Sequence, residues 1–267
     1  MKKVVFLSFG DNKYKPTLKR IEKEALQSGF FSDIKVLSDK DLAKEYKRKY
    51  KDRFKLRGFG YWMWKSYIIK KEISNLNDGD IIVYADAGCT INNLARKRFN
   101  EYIEYITSSK SGILTFSQET LIERYYTKAD LLSFTKTLQN KSIIDSPQLW
   151  AGCFFIRKCN ESISFVEEWF NLCHNHFHLI TDKPSLINNL DGFITHRHDQ
   201  SAFSVLAKLH APTIISAKET YTQQDFKVDL KDYPIWATRK RDYTWIYLKM
   251  HGIKNRINKI LNYSKFK

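Results

Sequence analysis

Cysteine is scarce in this sequence, and clusters of glycine and proline that mark linkers are missing. Four cysteines in 267 residues, none in a Cys-x-x-Cys pair, argue against a disulfide framework or a zinc site and fit free or buried thiols. No apolar run is long enough to span a bilayer. We find no internal repeat and no clear domain boundary, so the composition predicts one large domain, with or without appendages.

Acidic residues are also in deficit. Lys and Arg number 45 against 29 Asp and Glu, which gives a net charge of +16. This excess predicts affinity for anions, whether nucleotide phosphates, anionic lipid or nucleic acid. Hydrophobic residues make up 43% of the chain, which is enough for a large core. The first apolar stretch is broken at Gly10-Asp11, so we interpret it as a strand rather than a signal peptide and predict a cytoplasmic protein.

Hydrophobic periodicity predicts a β-α-β beginning. A strand at Lys3–Ser8, a helix at Thr17–Ser28 and a strand at Asp33–Leu37 indicate a parallel, right-handed crossover and a Rossmann-like half-sheet. Ser38-Asp39 is interpreted as the cap of a short helix. Further strands are predicted at Ile81–Ala85, Ser111–Phe116, Gln148–Arg157 and residues 214–215, and helices at residues 61–76, Leu94–Ile106, Glu161–His178 and from Thr195 or Asp199 to Leu209, with a helix-prone stretch at Glu119–Ser142.

The stretch Asp80–Thr90 organises the chain. It contains a short apolar strand that ends in Asp86, followed by Ala87 and Gly88. A buried strand that presents a carboxylate at its C-terminal edge is how open α/β sheets build ligand sites. The small residues allow backbone or a ligand to approach closely. An ordinary strand ending in a turn would give the same pattern, so this stretch does not decide the function by itself.

Aromatic residues crowd the predicted helix after Gly60. Trp62 and Trp64 fall on different faces of such a helix, so they do not both belong to the core. One of them is therefore a candidate for stacking on a base or a sugar ring.

Three histidines, His174, His176 and His178, end the predicted helix at Glu161–His178. Only His174 and His178 share a helix face, where a metal site is one interpretation. We favour the other, a solvated helix end whose dipole attracts histidine.

The order of these segments resembles the GT-A fold of nucleotide-sugar-dependent glycosyltransferases. The likeness is to bacterial surface-polysaccharide enzymes of the lipopolysaccharide and capsule type, including family-8-type retaining galactosyl- and glucosyltransferases, and it extends over residues 3–205. The resemblance implies a mixed, mainly parallel central sheet flanked by helices, a nucleotide-sugar donor, and a glycan or lipid-linked glycan acceptor. It also implies a divalent cation, Mn²⁺ or Mg²⁺.

Two segments of this resemblance concern the nucleotide. In FLSFGDNKY, Asp11 and Tyr14 match residues that hold a uracil base in the family, although the spacing is one residue longer than the commonest form. Before the central strand, Lys65 matches a basic residue that lies near the nucleotide, and Arg57 is a looser candidate. Trp64 is a further candidate for contact with the nucleotide sugar. These matches imply a UDP-sugar as the donor.

The third segment, VYADAG, is similar to the metal-binding "DxD" motif of the family. Asp86 is kept, but Gly88 stands where the second Asp belongs. The resemblance therefore implies either an ion held by Asp86 and a distant ligand, for which His198 is the candidate, or basic residues in place of the ion.

The fourth segment is a pair, WAGCFFI and HDQS. Ala151 and Gly152 match a strand that frames the sugar pocket, and Asp199 and Gln200 match a helix start that reaches the sugar near the reacting carbon. The resemblance thus implies Asp199 and Gln200 as the catalytic residues, which stabilise an oxocarbenium-like state. Arg239 is a further candidate, for the donor diphosphate.

The sequence predicts a glycosyltransferase domain at residues 1–238 and a basic segment at 239–267 that is not an independent domain. That segment carries nine Lys or Arg and one acid, with an apolar stripe at helical spacing. It is typical of an interfacial helix on an anionic membrane, although a helix packed on the sheet would give the same pattern.

Two other functions compete with the transferase. The charge of +16 and the interleaved aromatics fit a nucleic-acid-binding protein without enzymatic activity, but we find no helix-turn-helix, zinc-finger or RNP signature. The missing second Asp fits a GT-A fold that binds nucleotide sugar without turnover. We favour the hexosyltransferase and expect no nucleic-acid partner.

Overall fold

A six-stranded sheet forms the centre of the molecule, in a computed structural model that describes residues 2–242. The strand order is β2-β1-β3-β6-β5-β7, and β6 alone runs antiparallel to its neighbours. A second sheet pairs β4 with β8. The predicted mixed, mainly parallel α/β architecture is confirmed. The strands are β1 Val4–Gly10, β2 Asp33–Ser38, β3 Ile81–Ala85, β4 Thr90–Ile91, β5 Ile113–Ile122, β6 Pro147–Arg157, β7 Thr213–Ser216 and β8 Ile235–Trp236.

Helices cover both faces of the sheet. The first, α1, has Pro16 near its start and ends at Gly29, whose φ of 62° gives the left-handed cap that glycine adopts without strain. No helix within residues 2–242 is both long and apolar enough to cross a membrane. The helices are α1 Lys15–Ser28, α2 Lys44–Lys49, α3 Arg57–Tyr61, α4 Trp64–Ser74, α5 Arg96–Ser108, α6 Glu123–Tyr126, α7 Ala129–Phe134, α8 Lys141–Ile144, α9 Asn160–Asn175, α10 Asp199–Leu209 and α11 Phe226–Asp229.

Two apolar clusters lie on opposite faces of the sheet. Because side chains alternate along a strand, Leu7 of β1 joins the cluster under α4, α9 and α10, whereas Phe6 joins the cluster under α1 and α5. In β3, Tyr84 and Val83 divide in the same way. Both faces of the strands are thus buried, which is the usual condition of a largely parallel sheet. The strand ends are therefore held rigidly at one edge.

The chain departs from the predicted helix at residues 58–62. Five consecutive residues have positive φ: Gly58 61°, Phe59 55°, Gly60 87°, Tyr61 51° and Trp62 59°. They form one left-handed turn, so α3 (Arg57–Tyr61) is not a right-handed helix, and the right-handed helix α4 begins only at Trp64. Left-handed backbone costs non-glycine residues about 1–2 kcal/mol each, so tertiary contacts must hold this turn.

Other boundaries also differ from the prediction. The stretch at Glu119–Ser142 is not one helix: β5 runs on to Ile122, with irregular register, and three short helices follow. Ser38-Asp39 lies in a turn that the Asp41 carboxylate closes, while α2 starts later. The helix cap is His198 rather than Asp199 or Thr195, because the Asp199 carboxylate is engaged elsewhere.

His174 corrects the interpretation of the three-histidine helix end. It is buried at the end of α9, where its Nδ1 donates to the Phe170 carbonyl and its Nε2 accepts from the Tyr46 hydroxyl. Both ring nitrogens are used, so His174 is not available to a metal. Burial lowers the pKa of His174 to about 4, so this histidine is neutral at ordinary pH. It therefore carries no positive charge that could interact with the helix dipole.

Candidate active site

The site lies at the edge where the parallel strands end. Asp11 follows β1 and Asp86 follows the adjacent parallel strand β3. Strand β6 runs the opposite way and passes this edge, so that the Asp86 amide donates to the Gly152 carbonyl at 2.8 Å. The two sequence segments that carried the motif residues are thus side by side. This edge is where ligands bind in open α/β sheets.

Lys65 is the centre of the site. It lies on α4, is only 2% exposed, and reaches three groups with its ammonium. The distances from Nζ are 2.9 Å to Asp199 Oδ2, 3.3 Å to Asp86 Oδ1 and 3.0 Å to the Ala151 carbonyl. One buried cation therefore joins Asp86, Ala151 and Asp199, three candidates that are far apart in the sequence.

Burial and charge act in opposite directions on the pKa values of the central pair. Burial acts to lower the pKa of Lys65, but the carboxylates of Asp199 and Asp86 outweigh it, so the pKa is raised and the lysine is charged. Burial raises the pKa of Asp199, and Lys65 opposes that shift. The Tyr84 hydroxyl donates to Asp86 Oδ1 at 2.7 Å. The Asp86 side chain is 45% exposed, so it is the member of the cluster that faces an incoming ligand.

A buried polar network orients the Gln200 carboxamide. Gln200 Nε2 donates to Gln148 Oε1 at 2.8 Å and lies 3.3 Å from Gln118 Oε1. Gln148 in turn donates to Glu123, which is fully buried and paired with Lys208 at 2.9 Å. Because the Glu123 carboxylate only accepts, it fixes which end of each amide donates. The amide nitrogen of Gln200 is therefore held by the protein, and its oxygen is the end that points away from this network.

The turn after Asp86 is held in place by hydrogen bonds to its backbone carbonyls. Arg20 donates to the carbonyls of Ala87 and Cys89 at 2.8 and 2.9 Å. On the other side, the Gly88 carbonyl accepts from the Lys240 amide at 2.9 Å and from the Thr238 hydroxyl at 3.0 Å. The segment at 238–240 thus lies directly against the motif.

The residues present do not fit a two-carboxylate metal site. Gly88 offers no side-chain ligand, and one oxygen of Asp86, Oδ1, already accepts from Lys65 and Tyr84. His198 Nδ1 is bonded to the Ile180 carbonyl, and its Nε2 faces Asp182 at 3.4 Å. Within residues 2–242, no group of three or more His, Cys, Asp or Glu side chains is arranged to hold a metal ion.

The remaining predicted residues divide between the rim and the core. Asp11 accepts from the Lys13 amide and pairs with its ammonium at 3.1 Å, at the N-terminal end of α1 beside Tyr14. Arg57 is exposed and approaches Asp182 at 3.5 Å. Trp64, in contrast, is buried, with its ring stacked on Phe9 at 4.1 Å between centroids.

Trp64 is therefore a core residue, and its ring faces are not available to a base or sugar. The other candidate, Trp62, is half-buried and stacks on His198 at 5.8 Å. The left-handed turn places this indole beside the start of α10. Gly152 leaves room for a neighbouring side chain, because a Cβ at this position would collide with the indole of Trp150.

Several residues of the site carried no sequence signal. Tyr84 and Gln148 lie inside predicted strands: the Tyr84 hydroxyl reaches Asp86, two residues later in the chain, and Gln148 meets Gln200 because α10 packs on β6. Asp182, which accepts from the Tyr61 hydroxyl at 2.8 Å, lies in a segment with no predicted element. Arg197 stood next to the HDQS motif, and its position beside two other candidates was the one available hint.

Comparison with known proteins gives likenesses of shape only. No family model matches the chain, and no curated protein matches it. Among solved structures, a glycosyltransferase involved in glycosylation of the major capsid of PBCV-1 is 11% identical, with 88% of this chain and 91% of that chain covered and a TM-score of 0.48. Mouse xyloside xylosyltransferase 1 is 10% identical, with 88% and 97% covered and a TM-score of 0.46.

A third solved structure is the galactosyltransferase LgtC in complex with donor and acceptor sugar analogues. It is 10% identical, with 87% of this chain and 86% of that chain covered and a TM-score of 0.43. These three structures are all glycosyltransferases. Likenesses at this level concern overall shape, so the activity is argued from the site.

Proposed function

We propose that this protein is a glycosyltransferase that moves a hexose from a UDP-sugar to a glycan or lipid-linked glycan acceptor in surface-polysaccharide synthesis. The observation that carries the proposal is the bridge from Lys65 to Asp86 and Asp199 at the strand edge. Burying such charges is expensive, and apolar residues of similar size would stabilise the fold at least as well. A perturbed, buried charge cluster with one exposed carboxylate is typical of a functional site.

In the proposed reaction, Asp86 has one role and Asp199 with Gln200 has another. Asp86, the exposed carboxylate, accepts hydrogen bonds from hydroxyl groups of the donor. Asp199 and the Gln200 amide stabilise positive charge that develops at the anomeric carbon as its bond to the diphosphate oxygen breaks. The electron pair leaves with the diphosphate. The acceptor hydroxyl oxygen then bonds to the anomeric carbon, and its proton passes to the diphosphate or to solvent.

Lys65 acts behind these carboxylates as a positioning residue. Its ammonium fixes the Asp199 carboxylate at 2.9 Å and holds Asp199 and Asp86 together despite their like charges. It also favours the ionised form of Asp199 against the effect of burial. Because Lys65 is buried, this arrangement is formed before the donor arrives, which is the condition for electrostatic catalysis.

The nucleotide base is assigned to the rim beside α1. An Asp accepts the N–H of uracil and a Tyr ring stacks on the base, which supports Asp11 and Tyr14 as the contacts and UDP as the carrier. The protein would work in the cytoplasm at the inner face of the membrane, where lipid-linked acceptors are extended.

Ligand-induced stabilisation tests the donor class. We expect UDP-sugars to raise the melting temperature of the full-length protein, and GDP- and CDP-sugars to have little effect, because a ligand that binds only the folded state stabilises it. A response only to GDP- or CDP-sugars would contradict the assignment of Asp11 and Tyr14, whereas thymine keeps the N–H that Asp11 would accept, so dTDP-sugars are included to compare the two bases. Each sugar is tested with and without Mn²⁺.

Turnover separates a transferase from a binding protein. We expect hydrolysis or transfer of the UDP-sugar, and a loss of about 10²–10³ in kcat for Asp199→Asn with the melting shift retained. Melting shifts without any turnover would instead indicate a protein that binds nucleotide sugar. Steeply salt-dependent binding of oligonucleotides, with no response to UDP, would indicate a nucleic-acid-binding protein.

A further inference from the structure

The space beside Gly88 is filled by the chain rather than left open for a second carboxylate. A Cβ built on Gly88 would lie 3.4 Å from Arg239 Cα and 3.7 Å from the Lys240 carbonyl oxygen. A methyl group fits at that distance, but the carboxylate of an Asp would extend into the backbone of the 238–240 segment. The position that holds the second ligand in a DxD motif is therefore occupied by a segment that contains Arg239.

Arg197 lies on the other side of the same cluster. It directly precedes His198 and Asp199, and its guanidinium lies over the Tyr126 ring at 5.9 Å from the centroid. Its Nε is buried and has no hydrogen-bond partner among residues 2–242. A buried donor of this kind costs free energy unless a partner satisfies it, which makes it a candidate for ligand contact.

Both arginines adjoin the cluster through the chain: Arg197 is two residues before Asp199, and the backbone of Arg239 lies beside Gly88, two residues after Asp86. Burial lowers the pKa of the Arg197 guanidinium, and the charge of Arg239 lowers it further. Arg239 is exposed and has φ of 51°, a backbone conformation that is uncommon for a non-glycine residue. Like charges held together beside a ligand site are relieved when an anion binds between them.

The net charge of the cluster also favours an anion as its ligand. Three cations, Lys65, Arg197 and Arg239, are grouped with two carboxylates, Asp86 and Asp199. A divalent cation entering this group would meet net positive charge, whereas a diphosphate would meet two guanidinium groups. Guanidinium forks bind phosphate oxygens with paired hydrogen bonds.

We propose that Arg197 and Arg239 form the binding site for the donor diphosphate, and that they supply the positive charge that a divalent ion supplies in a two-carboxylate motif. The inference rests on the proposed function for the identity of the ligand, and it makes transfer independent of added metal. The two guanidiniums neutralise the charge that builds up on the diphosphate as the bond to the anomeric carbon breaks. Arg197 was not among the residues that the sequence singled out.

Calorimetric binding of inorganic pyrophosphate and of UDP to the full-length protein tests the site. We expect Arg197→Gln and Arg239→Ala each to weaken both ligands by about 10- to 100-fold, the effect of losing a charge-assisted hydrogen bond of about 1.5–3 kcal/mol. Arg48→Ala removes the same charge from an exposed position on α2 and is the matched control. Both ligands should bind in EDTA, with no need for added Mn²⁺.

Two results would overturn the proposal. One is arginine variants that bind both ligands as tightly as Arg48→Ala, and the other is binding that requires Mn²⁺. If Arg197→Gln loses its cooperative thermal transition and so does not fold, the Arg239→Ala variant alone tests the proposal. The Arg239 side chain is exposed, so its removal leaves the core intact.

The outcomes also separate this inference from the proposed function. Pyrophosphate binding that depends on the two arginines, without turnover of any nucleotide sugar, would keep the anion site and reject the transferase. Turnover that is lost in EDTA, restored by Mn²⁺ and unaffected by either arginine variant would keep the transferase and reject the anion site.

Discussion

At the scale of single residues, Lys65 is the most consequential position in the site. Replacement by Met removes the counter-charge from Asp199 and Asp86 while keeping the bulk of the side chain. Because Lys65 lowers the pKa of Asp199, its loss lets burial raise that pKa further. We expect kcat/KM to fall by about 10²-fold or more, and the acid limb of its pH profile to move to higher pH.

The pH profile distinguishes this role from simple destabilisation. Breaking a buried pair costs about 3–5 kcal/mol of folding free energy, so the Lys65→Met variant is assayed well below its melting temperature. Lys65→Arg keeps the charge and should keep the position of the acid limb even where its activity falls. An acid limb in Lys65→Met at the wild-type pH would contradict the role assigned to Lys65.

The sequence pointed to Lys65, Asp86 and Asp199 but not to Arg197 or to the polar partners of these residues. Asp86 could be predicted because a carboxylate at the end of a buried strand stands out in the sequence, and Asp199 was implied by the resemblance of HDQS to a motif of the glycosyltransferases.

Trp64 was misassigned, since a tryptophan on a helix carries no mark of which face is buried. Gln148 could not be predicted, because its contact with Gln200 depends on how α10 packs on β6. The hydrogen bond from Tyr84 to Asp86 is local, between residues two apart, but no motif marks the tyrosine.

At the scale of elements, the left-handed turn at residues 58–62 is the feature that the sequence did not predict. Its two glycines are consistent with helix or turn, and three of its five residues are aromatic. The turn is fixed by tertiary contacts: the Trp64 indole donates to the Gly58 carbonyl at 3.2 Å, and Phe59 stacks on Phe54 at 4.5 Å. Local propensity does not report such contacts.

Alanine substitutions in this turn give a graded prediction. Gly58→Ala would place a Cβ 2.6 Å from the Trp62 ring, whereas the nearest atom at Gly60 is 3.3 Å away. Both positions have positive φ, so each loses about 1 kcal/mol or more of stability, and Gly58→Ala should lose more. Denaturant titration measures the difference. Equal stabilities for the two variants would show that the turn accommodates the Cβ by moving Trp62.

Helix α9 gives a pH-dependent prediction. The pKa of His174 is lowered to about 4 from an ordinary 6.5, so between these values the unfolded chain binds a proton that the folded chain does not. Stability therefore falls as the pH drops through this window, by about 1.4 kcal/mol for each pH unit at most. His174→Gln should flatten the loss between about pH 7 and pH 5 in urea titrations.

A second histidine variant is the control for the effect of His174→Gln. The His176→Gln variant changes a histidine on the same helix end that is only half-buried, and it should keep the wild-type slope. If His174→Gln loses stability with falling pH as steeply as the wild-type protein, other groups dominate the acid response.

At the scale of the whole molecule, the sheet explains why distant motifs meet. Parallel β1 and β3 end at one edge, antiparallel β6 passes it, and α4 and α10 bring Lys65 and Asp199 under the same edge. The parallel pairing at the start of the chain follows from the β-α-β beginning and the rule for parallel connections, whereas the mixed sheet that contains antiparallel β6 was implied only by the resemblance to the GT-A fold. The position of the 238–240 segment against Gly88 could not be predicted, since no periodicity marks a pairing between residues 150 positions apart.

The basic C-terminal segment at 239–267 supports a prediction about membranes. Most of it, residues 243–267, lies outside the part of the chain that the structure describes, so the argument comes from composition alone. Nine Lys or Arg against one acid give +8 of the net +16. Each basic residue near an anionic bilayer contributes about 1 kcal/mol, so we expect full-length protein to sediment with phosphatidylserine vesicles at low salt.

Charge-matched variants of the full chain decide whether this segment is responsible. Changing Lys249, Lys254, Arg256 and Lys259 to Gln should release the protein into the supernatant, because about 4 kcal/mol of attraction is removed. Changing Lys44, Lys47, Arg48 and Lys51 to Gln removes the same charge from the region of α2 and should leave sedimentation unchanged. Equal release by both sets would mean that overall charge, rather than the C-terminal segment, draws the protein to the membrane. Recovery in the supernatant at every salt concentration would reject membrane association altogether.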